Sequence, residues 1–219
     1  SVAYTCANVG VNPVTVVISD ASSNTNTCAT TVTVLDTVRP VMSCISINAP
    51  LTTTSVTITP TDIDGGSNDG CGAVALTLNG QASLTFDCTD VGANNVTLIG
   101  TDVNGNIDSC IAVVTVQDLI SPTALCQNIT AQLDAAGNAT VLPGQIDNLS
   151  TDNCSIASIT FAAAAPSVAY TCANVGANAV TLEVTDVGGN LSTCNATVTV
   201  ADTVTPVISC NNITVQLSG

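Results

Sequence analysis

The sequence predicts an all-β protein of tandem sandwich repeats, and three observations carry that reading. A block of cysteines, prolines and aspartates recurs about every 83 residues. The apolar segments between them alternate with Thr at period two. No stretch shows helical periodicity.

The repeat is explicit. Residues 1–44 and 167–210 begin with ten identical residues, SVAYTCANVG, and 28 of their 44 positions match. A third copy, SLTFDCTDVGANNVTLIGTD, starts at Ser83. Cys6, Cys88 and Cys172 are each followed 22 residues later by a second cysteine (Cys28, Cys110, Cys194) and 16 later by a third (Cys44, Cys126, Cys210). Cys71 and Cys154 sit in the motif I-D-x-x-S-x-D-x-C. So long a period suits a tandem of small domains rather than a solenoid.

The runs ATTVTVLD (29–36), AVVTVQD (112–118) and ATVTVAD (196–202) read as last strands. Each ends in Asp, with a proline four residues later (Pro40, Pro122, Pro206). Proline there opens a new edge strand, so the borders fall at these joints. The expected organisation is the C-terminal part of a first repeat (1–36), complete repeats (37–118 and 119–202) and the start of a further one (203–219). About seven short strands per repeat point to an immunoglobulin-like β-sandwich. Tyr4, Phe86 and Tyr170 share one repeat position and are expected in the core.

Composition excludes several function classes. The 219 residues hold one cation, Arg39, no Lys and no His against sixteen acids, a net charge of -15. Such a chain cannot follow a phosphate backbone, nor hold an anionic membrane through a basic patch. It lacks the commonest general base and metal ligand. No run of eighteen apolar residues exists to span a bilayer. Paired carboxylates such as Asp62 and Asp64 sit beside turn glycines without aromatic sugar platforms, so no enzyme is expected. Rows of Thr suggest an ice-binding face, but the period gives no flat stacked ladder. Eleven cysteines point to an oxidising, extracellular compartment. With Ser1 as first residue and no signal peptide, the chain reads as a processed piece or window of something longer.

Four cysteines per repeat allow three pairings. AVALTLN-GQASLTFD reads as a hairpin with Asn79-Gly80 as a type I′ turn. Its register places Cys71 opposite Cys88, and Cys154–Cys172 is the same bridge over a longer loop. The second bridge lies either within a repeat or across the joint (Cys28–Cys44, Cys110–Cys126, Cys194–Cys210). A joint bridge would make the chain double back over the length of the last strand, roughly 25 Å. In a sandwich, the first strand and the start of the last share a pole. The expected bridges are therefore Cys44–Cys110 and Cys126–Cys194, leaving Cys6, Cys28 and Cys210 without partners in the chain.

The pattern D-x-x-x-P-x-x-x-C, then D-N-C, Y-T-C and V-T-D-V-x-G-N-x-x-x-C-x-A-T-V-T-V-x-D resembles hyalin-type (HYR-like) repeats. In this Thr-rich, Lys-free, acidic form it looks most like the tandem repeats of giant surface adhesins of gliding Bacteroidetes, the SprB type. Resemblance covers essentially the whole chain. The middle repeat departs from it with TDIDGGSNDGCG, and the first with DASSN. It implies type IX secretion, a bacterial cell-surface location, and long filaments that bind surfaces or polysaccharide through other regions and serve gliding motility. The function expected is the stalk of such an adhesin, its partners the neighbouring repeats. The alternative is a spacer or accessory module of a secreted enzyme or polysaccharide-binding protein.

Two kinds of site are expected on this frame. Ca²⁺ suits the hard oxygens of Asp36, Asp64, Asp69, Asp102, Asn104, Asp118, Asp147, Asp152 and Asp186, if these converge at one pole with Asn106 and Asp108. The plainer reading makes D-x-N-G-N a hairpin turn whose Asp and Asn bond their own backbone. D-T-V at Asp36 and Asp202 resembles the Bacteroidetes O-glycosylation signal, with Thr37 and Thr203 as acceptors. N-x-S/T at Asn95, Asn128 and Asn212 is expected by composition alone.

Overall fold

A computed structural model describes residues 2–216. The chain forms two compact units, residues 1–119 and 120–219. The finer borders at 36 and 202 stay expectations. Fourteen strands lie among the described residues, with two single-turn helices.

The first unit opens with β1 (Gly10–Ser19) and β2 (Thr25–Val34), an antiparallel hairpin running from Gly10 opposite Val34 to Ser19 opposite Thr25. A sandwich follows: β3 (Ile47–Leu51), β4 (Ser55–Ile58), helix α1 (Pro60–Ile63), β5 (Val74–Leu78), β6 (Leu84–Asp87), β7 (Gly92–Asp102) and β8 (Ile107–Asp118). One sheet has the order β3-β8-β7-β5, the other pairs β4 with β6. The first strand lies parallel to the last, Ile47 opposite Val114. Strands β5, β7 and β8 correspond to C, F and G of the immunoglobulin plan, and β4 and β6 to B and E. Alternation supplies the core: Val96, Leu98, Ala112, Val114 and Val116 point inward and are buried with Leu51, Ile58, Leu78 and Phe86.

The second unit repeats the plan. Its strands are β9 (Ile129–Gln132), β10 (Asn138–Val141), β11 (Ile156–Phe161), β12 (Val168–Thr171), β13 (Gly176–Asp186) and β14 (Leu191–Ala201), with helix α2 at Pro143–Ile146. The sheets are β11-β13-β14-β9 and β10-β12. Leu182, Val184, Val198 and Val200 form its core with Val141, Ile146, Phe161 and Tyr170. Tyr4, at the equivalent position in the first hairpin, is only half-buried.

Each sandwich has six strands rather than seven, and in the first the Asn79-Gly80 turn joins strands of opposite sheets. Both residues have positive φ, 49° and 82°, as type I′ requires. Leu78 and Gln81 exchange their backbone hydrogen bonds across it. The hairpin stops there. β5 pairs with β7 and β6 with β4, in opposite sheets. Leu78 and Phe86 then face one core from two sides.

Candidate functional site: the joint between repeats

The loss of that hairpin overturns one disulfide prediction. With β5 and β6 in different sheets, Cys71 is not brought opposite Cys88. Cys71 instead bonds to Cys6, 65 positions earlier in sequence, with 5.0 Å between their Cα atoms. Cys6 is thus not an orphan. Cys154–Cys172 is corrected on the same ground: Cys172 is free and exposed, while Cys154 and Cys88 are both oxidised. Within each sandwich, Cys44 bonds to Cys110 and Cys126 to Cys194. These clasp the first strand to the start of the last. Cys28 and Cys210 are free.

Cys6–Cys71 fixes the place where the first hairpin meets the sandwich after it. Cys6 opens a 3₁₀ turn, Cys6–Asn8, just before β1. Cys71 ends the loop between α1 and β5. Beside it, the β7–β8 turn reaches back to the linker. Asn104 donates its side-chain amide to Asp36 Oδ2 at 2.9 Å, and Asn106 donates to the Asp36 carbonyl at 3.2 Å. A bond of the latter type recurs in the second unit, from Asn190 to the Ile120 carbonyl at 3.3 Å. The joint is therefore held by one covalent bridge and a short polar network.

The expected calcium ligands divide into two groups. Several carboxylates are engaged in their own turns. Asp102 Oδ1 accepts from the amides of Asn104 and Asn106, and Oδ2 from the Asn106 side chain. Burial pushes this carboxyl up, but those hydrogen bonds more than offset it and hold its pKa below the usual value. Asp20 with Asn24, and Asp186 with Asn190, build the same turn. Asp64 accepts from Gly66 and Ser67, and Asp147 from Ser150. These contacts match the plainer turn reading. Asp118 is buried at the end of β8.

Two carboxylate pairs do come together. Oxygens of Asp36 and Asp69 lie within 4.8 Å of each other, as do those of Asp152 and Asp186. Asp69 Oδ2 accepts from the Cys71 amide, while Oδ1 is enclosed without a hydrogen-bond partner. Asp152 is placed alike, with Oδ2 on the Cys154 amide and Oδ1 enclosed. The Cys71 sulfur is in a disulfide and is no metal ligand. Nothing in the motif spacing could have told the engaged acids from the converging ones, because all lie in Asp- and Asn-rich loops.

Both D-T-V motifs adopt one geometry. Asp36 accepts from the Val38 amide at 3.0 Å, and Asp202 from the Val204 amide at 3.0 Å. The intervening Thr37 and Thr203 are exposed.

No family model matches the chain. It is 30% identical over 227 residues to Hyalin of Strongylocentrotus purpuratus, an alignment covering 95% of this chain. The chain spans 18% of that protein's length. Among solved structures it is similar to the N-terminal four immunoglobulin domains of a Dscam1 isoform, with 12% identity, TM-score 0.41, and 82% of this chain and 52% of that chain covered. It is also similar to the first two extracellular cadherin domains of human mucin-like protocadherin, with 14% identity, TM-score 0.39, and 74% and 98% covered. No described helix is long and apolar enough to cross a membrane. The repeats are hyalin-like, all-β and disulfide-rich, and cysteine pairing on this scale suits an oxidising, extracellular compartment.

Proposed function

We propose that this chain is a stretch of shaft in a secreted adhesive filament, built of hyalin-like repeats that are covalently stapled at their joints. The observation that carries the reading is the Cys6–Cys71 bridge, because it joins one repeat to the next at a second point besides the peptide backbone. A joint tied twice resists bending. The loops closed by Cys6–Cys71 and Cys44–Cys110 overlap between Cys44 and Cys71. Tension between Cys6 and Cys110 then passes through two disulfides and the 44–71 segment that carries β3, β4 and α1, and strands β5, β6 and β7 are bypassed. In the chain-entropy model each such loop contributes about 4 kcal/mol against unfolding. The net charge of -15 opposes lateral bundling. The finer reading, drawn from the repeat pattern, is a bacterial surface adhesin of the gliding type. Electron microscopy of native, unreduced material tests it. Long beaded fibres on a bacterial surface support the shaft, and compact particles contradict it.

A second reading places Ca²⁺ at Asp36 and Asp69, favoured by the enclosed, unpartnered Oδ1 of Asp69. Two like charges without a nearby cation are stabilised by a hard counter-ion. Calcium should raise the melting temperature of the wild-type chain, and Asp69→Asn should reduce the rise. An equal response in the variant removes Asp69 from the site.

A further inference from the structure

The two sandwiches differ at one edge of their larger sheets. In the first, Asn79 covers Thr97. The Asn79 amide donates to the Thr97 carbonyl at 2.9 Å, and Asn79 Oδ1 accepts from the Thr97 amide at 2.9 Å. Thr181 holds the place of Thr97 in the second unit, as Leu182 opposite Cys194 matches Leu98 opposite Cys110. There β11 ends at Phe161, opposite Leu182, and among the described residues neither bond is made to the Thr181 backbone. The turn that follows is one residue longer. Phe161 and Ala165 exchange backbone hydrogen bonds across it, where Leu78 and Gln81 do so in the first sandwich. Ala163 and Ala164 both have positive φ, 62° and 57°, a costly conformation for residues with a Cβ. Ala162 offers no side-chain acceptor in place of Asn79.

The uncovered backbone groups point away from β14. Asp186 donates to Asn190 across the β13–β14 turn, so every second residue of β13, counted back from Asp186, bonds to β14. Ala177, Ala179 and Thr181 fall between these and present their amides and carbonyls to the opposite edge. Past the end of β11, that edge pairs with no strand. Ala179 and Thr181 line a cavity of about 390 Å³, together with Phe161, Val168, Tyr170 and Val180. Val180 keeps 9% of its surface exposed, while its counterpart Val96 keeps 1%. A concave, mostly apolar site with a few fixed polar groups suits a bound ligand.

We propose that the second sandwich binds an extended peptide of a partner protein, added antiparallel to Ala177–Thr181 in line with β11, with apolar side chains in the cavity and a basic residue beside Glu183. Asn79 shows the chemistry this edge takes, one amide donor and one carbonyl acceptor. An extended peptide offers that pair at alternate residues. Residues directly opposite each other share a face, so the residue opposite Val180 enters the cavity and those opposite Ala179 and Thr181 face outward. Glu183 lies on that outward face two residues from Thr181, its carboxylate accepting from the Ala164 amide at 3.5 Å. With sixteen acids and one cation, the chain attracts a basic partner and repels a second copy of itself. The site depends on the pairing of β11 with β13 and is independent of the shaft role.

The test is a titration of the isotope-labelled chain with the blocked pentapeptide acetyl-Lys-Val-Thr-Val-Lys-amide, followed by amide NMR. Saturable shifts are expected, concentrated on Ala177, Ala179 and Thr181. N-methylation of the peptide's threonine removes the central donor and should weaken binding several-fold. Acetyl-Glu-Val-Thr-Val-Glu-amide should also bind several-fold more weakly, and Glu183→Gln should narrow the difference between the two peptides. Ala165→Phe fills the cavity and should abolish the shifts, while the rest of its amide spectrum reports that the fold is kept. Three outcomes overturn the proposal: no saturable shift at millimolar peptide, shifts spread over the acidic surface instead of this edge, or equal binding of the N-methylated peptide. Concentration-dependent shifts of the same three amides without peptide would assign the edge to a second copy and overturn it as well.

Discussion

Cys6 and Cys71 are bonded to each other across a joint, with one in the approach to a hairpin and the other in the loop before the third strand of the sandwich that follows. The bridge converts a flexible junction into a doubly tied one. It also fixes the thiol inventory. Maleimide labelling of the freshly purified, unreduced chain should add three labels, on Cys28, Cys172 and Cys210. Denaturation without reductant should add none. Labels on Cys6 or Cys71 would refute the pairing.

Val16, opposite Cys28 in the first hairpin, and Leu182, opposite Cys194 in the second sandwich, hold equivalent positions and should respond differently to truncation. Leu182 is fully buried, and its counterpart Val16 is 49% exposed. Leu182→Ala should cost about 3 kcal/mol, through lost transfer energy and a residual cavity. Val16→Ala should cost within about 0.5 kcal/mol, as surface substitutions do. Denaturant melts of the two variants compare them directly.

Much of this was legible in the sequence and some was not. The Thr-Val alternation of 112–118 and 196–202 located the last strands, because period two survives burial on one face. The Cys44–Cys110 clasp followed from the shared pole of first and last strands. Cys6–Cys71 escaped because a correct local signal, Asn79-Gly80, was extended too far. A type I′ turn dictates two residues on either side of itself. Which sheet each flanking strand then joins is decided by core packing, with Leu78 and Phe86 both buried, and no local motif encodes that. The acids behaved likewise. Asp102 and Asp69 look alike in sequence, yet one is satisfied by the Asn106 side chain and the other leaves an oxygen enclosed.

The β7–β8 turn predicts a pH response. Hydrogen bonds hold the Asp102 carboxyl below its ordinary value. A depressed folded pKa contributes stability that is present above the unfolded value, about 3.9, and is lost as pH falls through the folded one. Asp20, held low by Asn24, adds to the same window. Chemical melts should therefore show stability falling below about pH 4. Asp102→Asn should lower stability at neutral pH and flatten the acid limb. An identical pH slope in the variant would remove this turn from the account.

The two D-T-V turns present Thr37 and Thr203 outward in one geometry. Native material should carry sugar on both threonines, read as hexose-bearing peptides by mass spectrometry, while a recombinant cytoplasmic product should not. Unmodified Thr37 and Thr203 in native material would count against these sites.

The central claim is that disulfides carry tension past strands β5, β6 and β7 and across the joint. Single-molecule stretching between Cys-free handles at the two ends measures it most directly, with and without reductant. With the bridges intact, the chain from Cys6 to Cys110 should extend only by the short stretch between Cys71 and Cys44. Reduction should lengthen this part by roughly 270 Å and release a further ~240 Å from the loop closed by Cys126–Cys194, at about 3.5 Å per residue. An extension that is the same in both conditions would mean that the disulfides do not lie in the load path.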